Sequence, residues 1–266
     1  MTLDDLSFVV IGPNRSGSTL FCWMLNEHPN VECKFEYFNQ INYGRYGKKY
    51  DTTDPVEILE NLLKENWENP EHVKKDRTGF KFLFPNNRPE TNKLYRYLLK
   101  SHKIKKVLIT RNPLEKYISG RTVGASAESP STGTDKKSIT EYRTQFEKDM
   151  GRPIGKTWLG DKSTDVRIVF NKDHFLEFIE GFYLNYSYAL RHIEGPLITI
   201  DYVDICNTTA QEQIYNFLDV PYKHIHLPDW GHGTTKQNET QMSYRVVNFS
   251  EMVEYISTTP YKKYLI

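Results

Sequence analysis

The sequence has few cysteines, no excess of one charge and no long apolar run. Its three cysteines, Cys22, Cys33 and Cys206, are an odd set without metal-ligand spacing. They read as free thiols in a reducing compartment, not as a disulfide framework. Lys and Arg total 35 against 34 Asp and Glu. No global field therefore draws the chain to nucleic acid or to an anionic membrane, and any basic site must be local. No segment approaches the ~20 apolar residues of a spanning helix. The leading residues, Met1-Thr2-Leu3-Asp4-Asp5, are acidic where a secretory leader is basic, so a cytoplasmic protein without a membrane span is expected. Repeats, low-complexity blocks and linkers are absent as well, which leaves a single domain over residues 1–266.

What is present is a composition normal for a folded protein and wrong for disorder, 38% hydrophobic and 14% aromatic, in a chain long enough for a large core. Its organising stretch is Gly12-Pro13-Asn14-Arg15-Ser16-Gly17-Ser18-Thr19. An apolar run, Leu6 to Ile11, precedes it as a buried strand. Leu20, Phe21, Trp23, Met24 and Leu25 follow as one helix face. A strand, a glycine-bounded loop and a helix form the layout of a phosphate cradle, in which backbone N–H groups and the helix N-terminus meet an anion. The spacing of Gly12, Gly17 and Thr19 matches the nucleoside-triphosphate P-loop except at Ser18, where a lysine would reach the β- and γ-phosphates. Arg15 supplies a planar cation earlier in the loop instead. The loop thus suits an anion without a triphosphate tail.

Further strands are expected at Val31 to Phe38, where the pattern runs out into a loop, and at Gly79 to Phe84, Lys106 to Thr110 and Leu197 to Ile200. Helices are expected at Val56 to Trp67, Pro89 to Leu99, from Pro113, at Ser138 to Met150, Asp173 to Ile193 and Thr209 to Leu218, and at Ser250 to Tyr264. Asn42 to Asp54 reads as irregular. The alternation predicts an α/β fold, a parallel central sheet with helices on both faces. The polar segment over residues 124–165 reads as functional or mobile. Ligands of such sheets bind at the carboxyl ends of strands, where a second marked segment, Arg111-Asn112-Pro113 with Ser119 eight positions on, also falls. Ser119 reads either as part of a second anion site or as a helix hydroxyl bonded to its own backbone.

Taken together, the two segments resemble the sulfotransferases. Pro13 to Leu20 is similar to their 5′-phosphosulfate loop. Arg111, Pro113 and Ser119 are similar to their 3′-phosphate site. Ile200-Asp201-Tyr202-Val203-Asp204-Ile205 resembles their Tyr-Glu-Asp-Leu segment, with Val203 in place of the Glu. Phe217 to Pro221 resembles the helix end that follows, and Thr235-Lys236-Gln237-Asn238 a basic tail segment closing over the nucleotide. The look is nearest to bacterial carbohydrate sulfotransferases of the trehalose and nodulation type.

The resemblance implies 3′-phosphoadenosine-5′-phosphosulfate (PAPS) as donor, adenosine 3′,5′-bisphosphate (PAP) as product, and no metal. It implies in-line sulfuryl transfer to an acceptor hydroxyl on a carbohydrate or another small hydroxylated molecule. Cofactor contacts would come from Asn14, Arg15, Ser16, Gly17, Ser18, Thr19, Arg111, Ser119 and Lys236. Arg15 would also act in catalysis. Glu36, ahead of Tyr37 and Phe38, stands where those bacterial enzymes place a glutamate base; it reads equally as a helix cap or a partner of Lys34. Lys81 reads as a solvated lysine or as a contact of the sulfuryl group, and Lys236 as a tail contact or a surface charge. His224, His226 and His232 read as loop and surface residues. Tyr37, Tyr43, Tyr46 and Trp158 suit the wall of a sugar pocket or local packing. A nucleoside or nucleotide kinase and a non-catalytic P-loop binding protein are the alternatives. Oligomeric state has no signature in the sequence.

Overall fold

A computed structural model describes residues 3, 6–34, 38, 40–68, 75–84, 92–128, 168–225 and 242–265. The chain packs as two compact units. One comprises Met1–Arg111 and Glu180–Ile225; the other comprises Asn112–Ile179 and His226–Ile266.

The first unit holds a five-stranded, all-parallel sheet of β1 (Phe8–Gly12), β2 (Val31–Lys34), β3 (Arg77–Leu83), β4 (Lys105–Thr110) and β5 (Leu197–Asp201). The strand order is β2-β3-β1-β4-β5. Every residue of β1 is buried, as expected of a strand paired on both sides and covered on both faces. In register, Ile11 stands between Phe82 of β3 and Leu108 of β4. The chain leaves β1 for β2 on one side of the sheet, and leaves β4 for β5 on the other. The connections that leave the carboxyl ends of β1 and β4 therefore run to opposite sides, the switch point at which open parallel sheets bind ligands.

Helices α1 (Ser18–Asn26), α2 (Gln40–Tyr50), α3 (Pro55–Glu68) and α4 (Lys93–Lys100) follow in order. In α3, Asp54 Oδ1 accepts from the Val56 N–H at 2.9 Å and Pro55 opens the first turn, a favoured helix start. Asn92 Oδ1 caps α4 by accepting from the Tyr95 N–H at 2.8 Å. One core packs Val9, Ile11, Phe80, Phe82 and Leu108 of the sheet against Leu59, Leu63, Leu94, Tyr95, Leu98, Tyr186 and Ala189. Burying each large apolar side chain contributes roughly 1.5–3 kcal/mol. Phe8 and Val10 alternate to the opposite face, where Phe21, Met24 and Leu25 of α1 and Ile214 and Tyr215 of α7 (Thr208–Phe217) are buried.

The second unit contains α5 (Pro113–Glu128), α8 (Met242–Arg245), α9 (Phe249–Ser257) and a 3-10 turn at Pro260–Tyr264. Helix α6 (Lys172–His192) contributes residues to each unit. The core of the second unit is aromatic: Tyr117 lies edge-on to Phe170 and Phe175, and Phe175 to Tyr261.

All five expected strands are present, and the parallel sheet is as the alternation predicted. Three helical expectations change, the first being the helix expected over Ser250 to Tyr264, which ends at Ser257 and is followed by the 3-10 turn at Pro260–Tyr264. Residues Gln40–Tyr50, expected to be irregular, form α2. Glycines and polar residues hide its pattern, but Tyr46 and Tyr50 stack one turn apart at 6.4 Å. Helix α5 runs on to Glu128, into the segment read as polar from residue 124, because no proline stops it before Pro130. The expected helix from Ser138 to Met150 lies outside the described residues. Among the described residues no helix is long and apolar enough to cross a membrane.

Candidate functional site

The glycine loop joins β1 to α1 as expected, and its backbone departs from ordinary conformations. Arg15 has φ 65° and Gly17 φ 81°, both in the left-handed region. That region costs a non-glycine residue roughly 1–3 kcal/mol unless its surroundings impose it. Gly17 is the N-cap of α1 and brings no side-chain cap. The first-turn N–H groups of the helix thus keep their donor capacity at its positive end. Ser16 is fully buried, and its Oγ has no hydrogen-bond partner among the described residues. Ser18 is buried, whereas Asn14 and Thr19 are exposed.

A second cation reaches the loop from the adjacent strand, β4. Arg111 follows directly on β4 and is 7% exposed. One of its Nη groups donates to the Arg15 carbonyl at 2.8 Å, and its guanidinium lies over the Tyr202 ring at 4.1 Å. Register explains the stack. The last β4–β5 pair is Thr110 with Asp201, so Arg111 and Tyr202 occupy equivalent positions one residue further on. Asp201 fixes that end of the sheet: its carboxylate accepts from Thr110 Oγ1 at 3.0 Å and from the Val203 N–H at 3.1 Å. Tyr202 in turn lies against Gly17, where a Cβ would fall on the edge of its ring.

Burial first, and the neighbouring Arg111 charge second, push the Arg15 guanidinium below its ordinary value, with Tyr202 opposing. Two cations held this close in a half-buried site favour an anion between or beside them.

Lys81 corrects the sequence expectation of a solvated side chain at a strand start. It sits within β3 and is 3% exposed. Its Nζ donates to Thr19 Oγ1 at 2.9 Å in the first turn of α1. A lysine between Phe80 and Phe82 looks outward-facing by alternation, but both faces of this sheet are covered, so its stem is buried and its ammonium reaches the loop.

The remaining sequence candidates are placed as follows. Ser119 is buried in α5 of the second unit. Glu36, Tyr37, Trp158, His226, His232 and Lys236 lie outside the described residues. His224 is exposed, 3.2 Å from the Tyr222 hydroxyl. Tyr46 pairs with Tyr50 on α2. Among the described residues no group of three His, Cys, Asp or Glu side chains could hold a metal. Sequence reasoning quoted Tyr202 only as part of a resembling segment and did not give it a role at the loop. Its position directly after an expected strand, level with Arg111, is the signal that would have found it.

No family model matches the chain, and no curated protein matches it. Among solved structures it is similar to a sulfotransferase from Alicyclobacillus acidocaldarius, with TM-score 0.44 and 13% identity, over 98% of this chain and 94% of that one. It is similar to mouse sulfotransferase SULT7A1 complexed with PAP, with TM-score 0.39 and 14% identity, over 94% of this chain and 68% of that one. It is also similar to a retinol dehydratase in complex with androsterone and inactive cofactor PAP, with TM-score 0.33 and 14% identity, over 90% of this chain and 65% of that one.

Proposed function

We propose that this chain is a PAPS-dependent sulfotransferase acting on an acceptor hydroxyl, on a carbohydrate or another small hydroxylated molecule. The observation that carries the reading is the meeting of Arg15 and Arg111 at an uncapped helix N-terminus, at the carboxyl ends of β1 and β4. The loop fits a sulfate- or phosphate-sized anion: backbone donors, a buried unpartnered Ser16 hydroxyl and planar cations line it. Planar guanidinium forks match a tetrahedral oxyanion in geometry as well as charge.

In this reading Arg15, the α1 N-terminus and Lys81 hold the 5′-phosphosulfate end, and Arg111 the 3′-phosphate. Glu36, Ser119 and Lys236 enter from the sequence resemblance, Glu36 as the base that takes the acceptor proton. Bound there, PAPS supplies an activated sulfuryl group. The residues of the loop then stabilise charge that develops on the departing 5′-phosphate, the kind of preorganised electrostatic contribution that is commonly large.

Lys81 also weighs against the kinase alternative. The P-loop hydroxyl at the position of Thr19 normally coordinates Mg²⁺. Here that oxygen accepts a bond from a buried ammonium, so a fixed cation of the protein takes one of its two lone pairs and repels a second cation there. Thermal shift tests the choice: PAP without metal should stabilise the chain, whereas stabilisation only by ATP with Mg²⁺ would favour the kinase. Activity with labelled PAPS against an acceptor panel, unaffected by EDTA, completes the test.

A further inference from the structure

The two left-handed residues of the loop are each held by a different group, and those two groups hold each other. The Arg15 carbonyl accepts from Arg111, the face of Gly17 is occupied by the Tyr202 ring, and Arg111 lies flat on Tyr202. The clamp comes from the ends of β4 and β5, whose register is pinned by the Thr110–Asp201 pair. The geometry points to a positioning role: the Arg111–Tyr202 stack sets the loop conformation that receives the 5′ anion, in addition to any contact that Arg111 makes with a second phosphate. The inference rests on the reading of residues 12–19 as an anion loop. It does not depend on which nucleotide carries the anion.

The physical case is one of strain and preorganisation. A left-handed arginine persists only where its surroundings impose it. Here the charge-assisted hydrogen bond from Arg111 does so, and the Tyr202 ring holds Arg111 in place. A guanidinium stacked on an aromatic ring keeps its in-plane N–H groups directed outward for hydrogen bonding, so the stack orients Arg111 toward the Arg15 carbonyl. Without the stack, the loop would spread over several conformations, and an anion would have to select the competent one, which lowers apparent affinity by the fraction populated. The two ends of the ligand site are thereby linked. Filling the Arg111 end holds the clamp closed and favours anion binding at the loop, and the reverse holds equally.

The test separates positioning from simple phosphate contact with ligands that lack a 3′-phosphate. Inorganic sulfate, adenosine 5′-monophosphate and PAP are titrated by NMR against the intact chain and against Arg111→Gln, Arg111→Lys, Tyr202→Leu and Tyr202→Phe. Positioning predicts that Arg111→Gln and Tyr202→Leu each weaken sulfate and the monophosphate about tenfold, the effect of losing a hydrogen bond worth about 1.4 kcal/mol. Tyr202→Phe, which keeps the ring, should bind like the intact chain. Arg111→Lys, which keeps the charge but not the planar fork, should fail to rescue sulfate binding. Amide exchange at Ser16 to Thr19 should quicken in Tyr202→Leu while β1 stays protected, which distinguishes loop release from general unfolding. Unchanged sulfate and monophosphate affinity in Tyr202→Leu and Arg111→Gln would overturn the inference, even if PAP binding fell. An intact chain that binds sulfate but not PAP would leave the clamp standing and remove the sulfotransferase reading. An intact chain that binds none of the three removes both.

Discussion

The two ends of the same sheet use the same kinds of cation for opposite purposes. At the amino ends, Lys106 donates to the Ser101 carbonyl, and at 2.6 Å to the Glu194 carbonyl. Lys105 donates to the Phe217 carbonyl at 2.6 Å and to Asp219 at 2.5 Å. Arg77 Nε donates to the Leu218 carbonyl at 2.7 Å. These carbonyls sit at the ends of α4, α6 and α7, where helices leave acceptors unsatisfied and carry partial negative charge. At the carboxyl ends, Arg15, Arg111 and Lys81 gather instead around the positive start of α1. A cation facing a helix C-terminus is satisfied by the fold. Cations gathered at an N-terminus add to the positive end of the helix, and their joint field favours an external anion. The same charge therefore serves the fold at one end and, under the proposed function, an anion at the other.

Mutations at the two ends should break along that line. Arg15→Asn, which tolerates the left-handed backbone, should lower turnover with PAPS by about 10²–10³-fold. Its melting temperature should stay near that of the intact chain; a large drop would place Arg15 with the structural cations. Glu36→Gln asks whether the loop suffices without a base. Turnover should fall about a hundredfold with PAP affinity retained, and near-normal turnover would move the base elsewhere. Arg111→Ala should weaken PAP by roughly 1.5–3 kcal/mol, measured by calorimetry.

At the other end, Lys106→Met should leave activity per folded molecule unchanged and reduce unfolding free energy by about 1–3 kcal/mol at neutral pH, because two carbonyls lose their donor. Burial pushes Lys106 from an ordinary 10.5 down to about 8, with Glu194 opposing. Between those values the unfolded chain holds a proton that the folded chain has released, so the Lys106 contribution to stability rises from pH ~8 to ~10.5 and is level below. The neutral amine still has protons for both carbonyls. Urea titrations across that range should show the rise in the intact chain and lose it in Lys106→Met. The smallest effect is expected at Asp219, an exposed carboxylate held below its ordinary range first by its bond to Lys105. Asp219→Asn should cost at most about 1 kcal/mol, present above the ordinary carboxylate range and lost as pH falls through the lowered value.

The cradle was legible because glycine spacing and flanking periodicity are local. So were the strands, whose apolar runs are continuous, and Arg111, which stands at a strand end before a helix-starting proline. Lys81 and Lys106 were not legible. Lys81 interrupts an apolar strand and Lys106 stands beside Lys105 at a strand start, both like surface residues, and only the covering of both faces reveals that the side chains are inside. The Tyr202 clamp was hidden for a related reason. It depends on the β4–β5 register, a pairing between residues 91 apart in sequence. Helix α2 escaped because its polar, glycine-bearing sequence has no apolar stripe strong enough to announce it.

The placement of Tyr202 one step past the last pair of β5 limits how the chain can vary in length. Adding or removing one residue between Leu197 and Tyr202 would advance the strand by about 3.3 Å and turn the following side chain to the opposite face. The ring would leave Gly17 and the guanidinium together. Insertions and deletions within β5 are therefore excluded, and descendants of this sequence should keep the spacing from Leu197 to Tyr202 unchanged.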